Sequence, residues 1–182
     1  MGFALLLLSS TEGWSAEPDK KYLNEEEKEN IWVVNVNENR DTVFISVNGE
    51  TTHGDRLRIR FLKGSCNVGN TITTFYSYKN NPEILNLRNV VTSAIFKDVG
   101  IKVRILFAQK FLLGHMATVD LGWNKVEDIK NYFFGKSNVS LVLKDDEKFK
   151  PSEYFDLMQN SWSLNGLENA LDRARKECRR LP

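Results

Sequence analysis

The chain has few of the residues on which recognisable chemistry is usually built. Its 182 residues include 2 Cys, 2 His, 4 Pro and 11 Gly. Two Cys and two His without ligand spacing cannot form a zinc site of the C-x-x-C kind, so no metal is expected. Low Pro and Gly content without a repeat excludes collagen-like and low-complexity chains. Net charge is almost absent, 25 Lys+Arg against 24 Asp+Glu, which excludes a uniformly basic nucleic-acid binder but not a local basic patch. No apolar run approaches the roughly 18–20 residues that span a bilayer. Walker loops, G-x-S-x-G elbows, H-E-x-x-H and G-x-G-x-x-G are also missing, so no catalytic residue and no cofactor is assigned.

What remains is the composition of one folded domain, with 41% hydrophobic and 27% charged residues. That balance buries enough apolar surface to exclude disorder, and the length suits a single domain.

Phe3–Leu8 reads F-A-L-L-L-L and is followed by small and polar residues ending at Ser15-Ala16. This has the layout of the apolar core and cleavage region of a secretory signal peptide. It departs from that layout in having no Lys or Arg upstream and in placing Trp14 where a small residue is expected, as if a basic segment were missing ahead of Met1. The expected division is a signal peptide at 1–16 and a single domain at 17–182, with a periplasmic or secreted location. In such an oxidising compartment two cysteines read as one disulfide, Cys66–Cys178, closing a loop of about 112 residues.

After an acidic lead-in at 17–30, β-type runs alternate with turn residues. The expected strands are Ile31–Val36, Thr42–Val47, Arg56–Phe61, Thr71–Tyr78, Val90–Lys97, Ile101–Gln109, His115–Leu121 and Asn138–Leu143. Asn48-Gly49 is a strong hairpin signal, because both residues tolerate positive φ. Asp98-Val99-Gly100 joins two long runs as a second hairpin. Helical signals come late. Asn124-x-x-Glu127 is a capping box, and Pro151 suits a first helical turn. Asn165 and Glu168 open a last helix whose Leu167, Leu171, Ala174 and Cys178 share one face. Ser163–Leu171 resembles the C-terminal end of small exported bacterial proteins of the invasion-associated locus B type; the resemblance is confined to that segment and implies no site residue. Strands followed by helices predict an α+β domain: a largely antiparallel β-sheet with C-terminal helices packed on one face. The alternative is a β-sandwich with a helical tail.

Candidate functional residues are sparse. His53 and His115 are isolated, and a lone His in a turn or strand is usually structural or exposed. The acids of Asp145-Asp146-Glu147 and Glu127-Asp128 lie in a loop and on a helix, where solvation explains them. The basic tail Arg173–Arg180 is what a helix C-terminus favours. The strongest surface is the alternation Arg56-Leu57-Arg58-Ile59-Arg60-Phe61, which sets three arginines on one face about 6–7 Å apart and exposed to water. Lys102 and Arg104 alternate outward in the same way, so neighbouring strands would gather five cations, Arg56, Arg58, Arg60, Lys102 and Arg104, into an anion-attracting surface. Against this stands the ordinary use of such charges, keeping an open sheet face soluble. Together these features predict a small exported protein that works by binding a protein or an anionic envelope component, with nucleic acid disfavoured and no transmembrane segment in the mature chain. A hydrolase with an unplaced carboxylate or His, and an inhibitor or immunity protein, are the other classes. Asn138-Val139-Ser140 is a formal glycosylation sequon.

Overall fold

The computed structural model describes residues 31–51 and 55–182. The expected signal peptide, the acidic lead-in and His53 lie outside the described residues. Among the described residues the fold is a single sheet of nine strands with two α-helices. The strands are β1 (Val33–Asn37), β2 (Thr42–Asn48), β3 (Arg56–Leu62), β4 (Val68–Ser77), β5 (Val91–Phe96), β6 (Val99–Phe111), β7 (Gly114–Lys125), β8 (Asn138–Lys144) and β9 (Gln159–Ser163). The helices are α1 (Val126–Phe133) and α2 (Leu167–Arg180). The sheet order is β1-β2-β3-β4-β7-β6-β5-β8-β9, and every neighbouring pair is antiparallel.

The sheet coils into a half-barrel because strands twist and because its two ends are tied to each other. The Trp32 indole N–H donates to the Ser163 carbonyl at 2.9 Å. The Glu50 N–H donates to the Ser161 carbonyl at 2.8 Å. Trp162, fully buried on β9, donates its indole N–H to the Asp55 carbonyl at 2.9 Å. One face of the sheet feeds a single apolar core. On β3 the alternation is strict: Leu57, Ile59 and Phe61 are buried, and their cross-strand partners on β2, Val47, Ile45 and Val43, are buried with them. Period-two patterning therefore places a two-strand layer of six apolar side chains with no further instruction.

α2 buries Leu167, Ala170, Leu171, Ala174 and Cys178 and lies against β1, β2 and β3. Cys178 is bonded to Cys66, just beyond β3, with Cα atoms 5.7 Å apart. The disulfide expected from the two cysteines is therefore formed. α1 follows β7 without a break and lies against it.

Several local expectations change. Asn48-Gly49 does not form a two-residue turn, because β2 and β3 pair only as far as Asn48 and Arg56. Gly49 serves another purpose: a Cβ there would meet the Asn160 side chain and stand 2.7 Å from the Asp55 carbonyl oxygen. The β5–β6 hairpin is real, but its loop is Lys97-Asp98, both at positive φ, rather than Asp98-Val99-Gly100. Gly122 does not end β7. At φ 99° it absorbs an irregularity in the β4–β7 pairing, and the strand runs on to Lys125. Lys125 and Gly166, not Asn124 and Asn165, flank the helices, and neither supplies a side-chain cap. Pro151 opens only a three-residue 3-10 turn, and the chain then forms β9 around Trp162.

Candidate functional site

The face opposite the core carries the arginines. Antiparallel register sets Arg60 between Phe44 and Asn70, and Arg58 between Ser46 and Ile72, while Arg56 faces Asn48. The arginines do not stand free in water as expected. All three are half-buried, because the long side chains lie flat over small and polar neighbours such as Ser46, Asn48, Asn70 and Thr74, which are themselves buried.

Two of them bond to side-chain amides. The Arg56 Nε donates to Asn48 Oδ1 at 2.9 Å. Arg60 Nη2 donates to Asn70 Oδ1 at 3.1 Å, and its guanidinium lies over the Trp123 ring, 5.7 Å from the centroid. Arg60 Nε is buried with no acceptor among the described residues. Arg58 makes no hydrogen bond or ion pair among the described residues. Burial, and then repulsion from Arg56, lower its affinity for a proton. A guanidinium held partly out of water without an anion is an electrostatic debt that a bound anion would cancel.

Lys102 and Arg104 are not neighbours of β3. β4 and β7 intervene, and Arg58, Ile72, Asp120 and Arg104 form one cross-strand row on the same face. Both of these cations on β6 already have a carboxylate. Arg104 pairs with Asp120 at 3.2 Å, and Lys102 with Asp146 at 3.2 Å. Asp120 also accepts from Asn70 Nδ2 at 2.7 Å, so Arg60, Asn70, Asp120 and Arg104 form a continuous polar network across four strands. The five expected cations thus divide: Arg56 and Arg60 bond to amides, Arg58 has no hydrogen-bond or ion-pair partner among the described residues, and Lys102 and Arg104 pair with carboxylates.

The other candidates resolve as structure. Asp146 accepts from the Ser93 hydroxyl, from Lys102 and from two backbone N–H groups, which hold its carboxyl well below the usual range. Asp145 accepts from the Ser152 hydroxyl and backbone N–H, which lower it as well. These two acids build the loop after β8. Glu127 pairs with Arg175 at 2.9 Å. In the basic tail, Arg175 and Arg179 both donate to the Asn67 side chain, and Arg180 pairs with Glu177. His115 is buried in β7. Among the described residues no group of three or more His, Cys, Asp or Glu is placed to hold a metal ion, and no helix is long and apolar enough to cross a membrane.

No family model matches the chain, and no curated protein or solved structure matches it. The short resemblance at Ser163–Leu171 therefore carries no argument, and the geometry stands alone.

Three concavities of the described residues lie elsewhere. One of about 850 Å³ runs between α1 and α2, one of about 270 Å³ opens beside α1 among Phe96, Ile101, Leu121 and Tyr132, and one of about 400 Å³ lies along α2 among Asp172, Arg175, Lys176 and Arg179. None of the three is lined by Arg56, Arg58 or Arg60. The site residues that sequence reasoning missed are Asn70, Asp120 and Trp123. Asp120 had a signal, a lone carboxylate inside an apolar β-run, which a strand tolerates only with a partner. Asn70 and Trp123 had none, since β4 and β7 become neighbours only through the sheet order.

Proposed function

We propose that this is an exported, non-catalytic binding protein of the periplasm or the extracellular space, which takes an anionic group of its partner on the β3 arginine face. The observation that carries this reading is Arg58, half-buried between Arg56 and Arg60 and lacking any carboxylate or amide partner among the described residues. A carboxylate, phosphate or sulfate of a partner protein or an envelope component supplies what the fold leaves out, and a guanidinium accepts any of them in a bidentate fork. The flanking Trp123, exposed and stacked on Arg60, gives the face a flat apolar shoulder. We read α1 and α2, tied together by the Lys130–Asp172 and Arg175–Glu127 pairs, as one layer on the core side of the sheet, which leaves the arginine face open. The Cys66–Cys178 disulfide supports the exported setting, since such bonds persist outside reducing compartments.

The test is heparin retention of the folded protein, with Arg58→Glu compared with Arg88→Glu. Both variants change the net charge equally, and Arg88 is exposed, away from β3. Arg58→Glu is expected to elute at clearly lower salt than Arg88→Glu. Equal elution of the two would remove the site.

A further inference from the structure

The β6–β7 hairpin ends in an unusual way. Phe111 pairs with Gly114, so the loop is two residues, Leu112-Leu113. They are 86% and 92% exposed. Leu112 sits at φ 48°, in the left-handed region that such loops normally fill with Asn or Gly. Two leucines at that place violate both the solubility rule and the turn rule, and no described residue covers them. A local rule broken at an exposed tip points to a use outside the molecule.

The tip also protrudes. The β5–β6 ladder stops at Val91–Arg104, whereas β6 runs on to Phe111. On the other side, β4 pairs with β7 up to Ser77–His115. Past Arg104, β6 is accompanied by Asn89 and Val90, bonded to Ile105, and by the 3-10 turn Pro82–Asn86. Past Ser77–His115 the hairpin continues through Gly114 to the loop, with Phe111 (39% exposed) and Tyr78 (70% exposed) beside it. Phe111 packs on Tyr76, which stiffens the base of the tip. Lys110, next to the tip, is exposed and has no ion pair among the described residues. Lys79 is satisfied by the Ser152 carbonyl, and the nearby Asp156 is occupied by the Tyr78 N–H and the Ser77 hydroxyl.

We infer that the Leu112-Leu113 tip inserts into the interfacial layer of an anionic lipid bilayer. A convex point of two leucines has no groove to complement it. These side chains fall short of the roughly 800 Å² per partner that a stable protein interface covers. A bilayer needs no complement: leucines enter the acyl boundary, aromatic rings such as Tyr78 and Phe111 lie at the headgroup level, and a lysine meets anionic lipid. Such a small insertion binds weakly alone and is strengthened by cations. The inference goes beyond the arginine reading and does not depend on it.

The test uses Leu113→Cys, a single free thiol beside the Cys66–Cys178 bridge, labelled with a polarity-sensitive dye. Vesicles are either pure phosphatidylcholine or an equimolar mixture with phosphatidylglycerol. With the mixed vesicles the dye is expected to shift to the blue and to be quenched by lipid-borne quenchers. Cosedimentation of unlabelled protein is expected to fall at least about tenfold in Leu112→Asn/Leu113→Gly, which keeps a regular two-residue hairpin. Loss of heparin retention in Arg58→Glu with tip insertion intact supports the bilayer assignment, and insertion lost only through Arg58→Glu overturns it. A dye indifferent to both vesicles overturns it. So does a concentration-dependent dimer in sedimentation velocity that the Asn-Gly variant abolishes, which would make the occupant a second copy.

Discussion

Replacing Cys66 and Cys178 together by alanine should cost about 4–5 kcal/mol. The bridge closes a loop across a sequence separation of 112 residues. In the chain-entropy account, the unfolded ensemble loses about 16 cal/mol/K on closure of a loop that long, or about 5 kcal/mol at 25 °C. Against a whole-domain stability of roughly 5–15 kcal/mol, that is a third or more of the total. The folded state itself should change little. α2 keeps Leu167, Ala170, Leu171 and Ala174 against β1, β2 and β3, and alanine leaves only a small void where the buried Cys178 sulfur stood. The variant should therefore fold at 25 °C with native Trp32 and Trp162 emission, while its melting temperature falls by roughly 10–20 °C. In urea the midpoint should drop and the slope should rise, because the unfolded chain is now free to expand. A free-energy change below about 1 kcal/mol would refute the unfolded-state account. Faster amide exchange confined to α2, with little change in global stability, would place the effect of the bond in docking the helix instead.

Asp55 is almost fully buried, and burial raises its pKa to about 7, against lowering by the Tyr76 N–H and the Asn160 amide. The folded state then keeps a proton that the unfolded state has lost above pH 4, so stability should fall by up to about 4 kcal/mol between pH 4 and 7 and flatten above. Subtracting urea curves of Asp55→Asn isolates this slope; parallel curves for the two proteins would contradict it. Gly49→Ala should destabilise by about 1–3 kcal/mol, since the methyl group meets the Asn160 side chain and the Asp55 carbonyl, and an unchanged melting temperature would show that this junction yields easily. Leu112→Asn/Leu113→Gly should raise stability by about 1 kcal/mol, because the left-handed φ of Leu112 is relieved. A lower urea midpoint would mean that the tip leucines are structural.

The parts legible in the sequence were those fixed by near neighbours. Alternation on β3 identified Leu57, Ile59 and Phe61 as core, and the four-three-four spacing put Cys178 on the buried face of α2. The expected strands recur, shifted by a few residues at their ends, because β-branched runs bounded by turn residues admit few other conformations. β9 was missed because Gln159-Asn160-Ser161-Trp162-Ser163 has no β-branched residue. It is a strand because Trp162 is fully buried and because Glu50 and Trp32 bond to its backbone from the other end of the sheet. The five-cation surface failed for a related reason. The alternation is right for both strands, but whether β3 and β6 touch is a question of sheet order, and β4 and β7 lie between them.

That intervening pair decides what the outer face can do. Had β3 and β6 been neighbours, five cations would have crowded into one patch and repelled each other. Instead Asp120, on β7, neutralises Arg104 and, through Asn70, anchors Arg60 without pairing with it. Arg104 is thus balanced on β6, while Arg58 on β3 keeps no ion pair among the described residues, although the chain carries a net charge of only +1. The same register puts Tyr76 in line with Met116 and Gln109, and the Tyr76 ring packs against Phe111 at the base of the leucine tip. Arg58 and the tip are therefore joined by β4 and β7, two paired strands with little freedom to bend. If the tip enters a bilayer, the arginine face is held at a fixed angle to the headgroups. Both features can then act on one anionic surface, with the tip giving depth and Arg58 giving preference for charge. Separate mutation of the two should consequently yield effects on vesicle binding that do not simply add, because loss of the tip also removes the orientation that brings Arg58 to the surface.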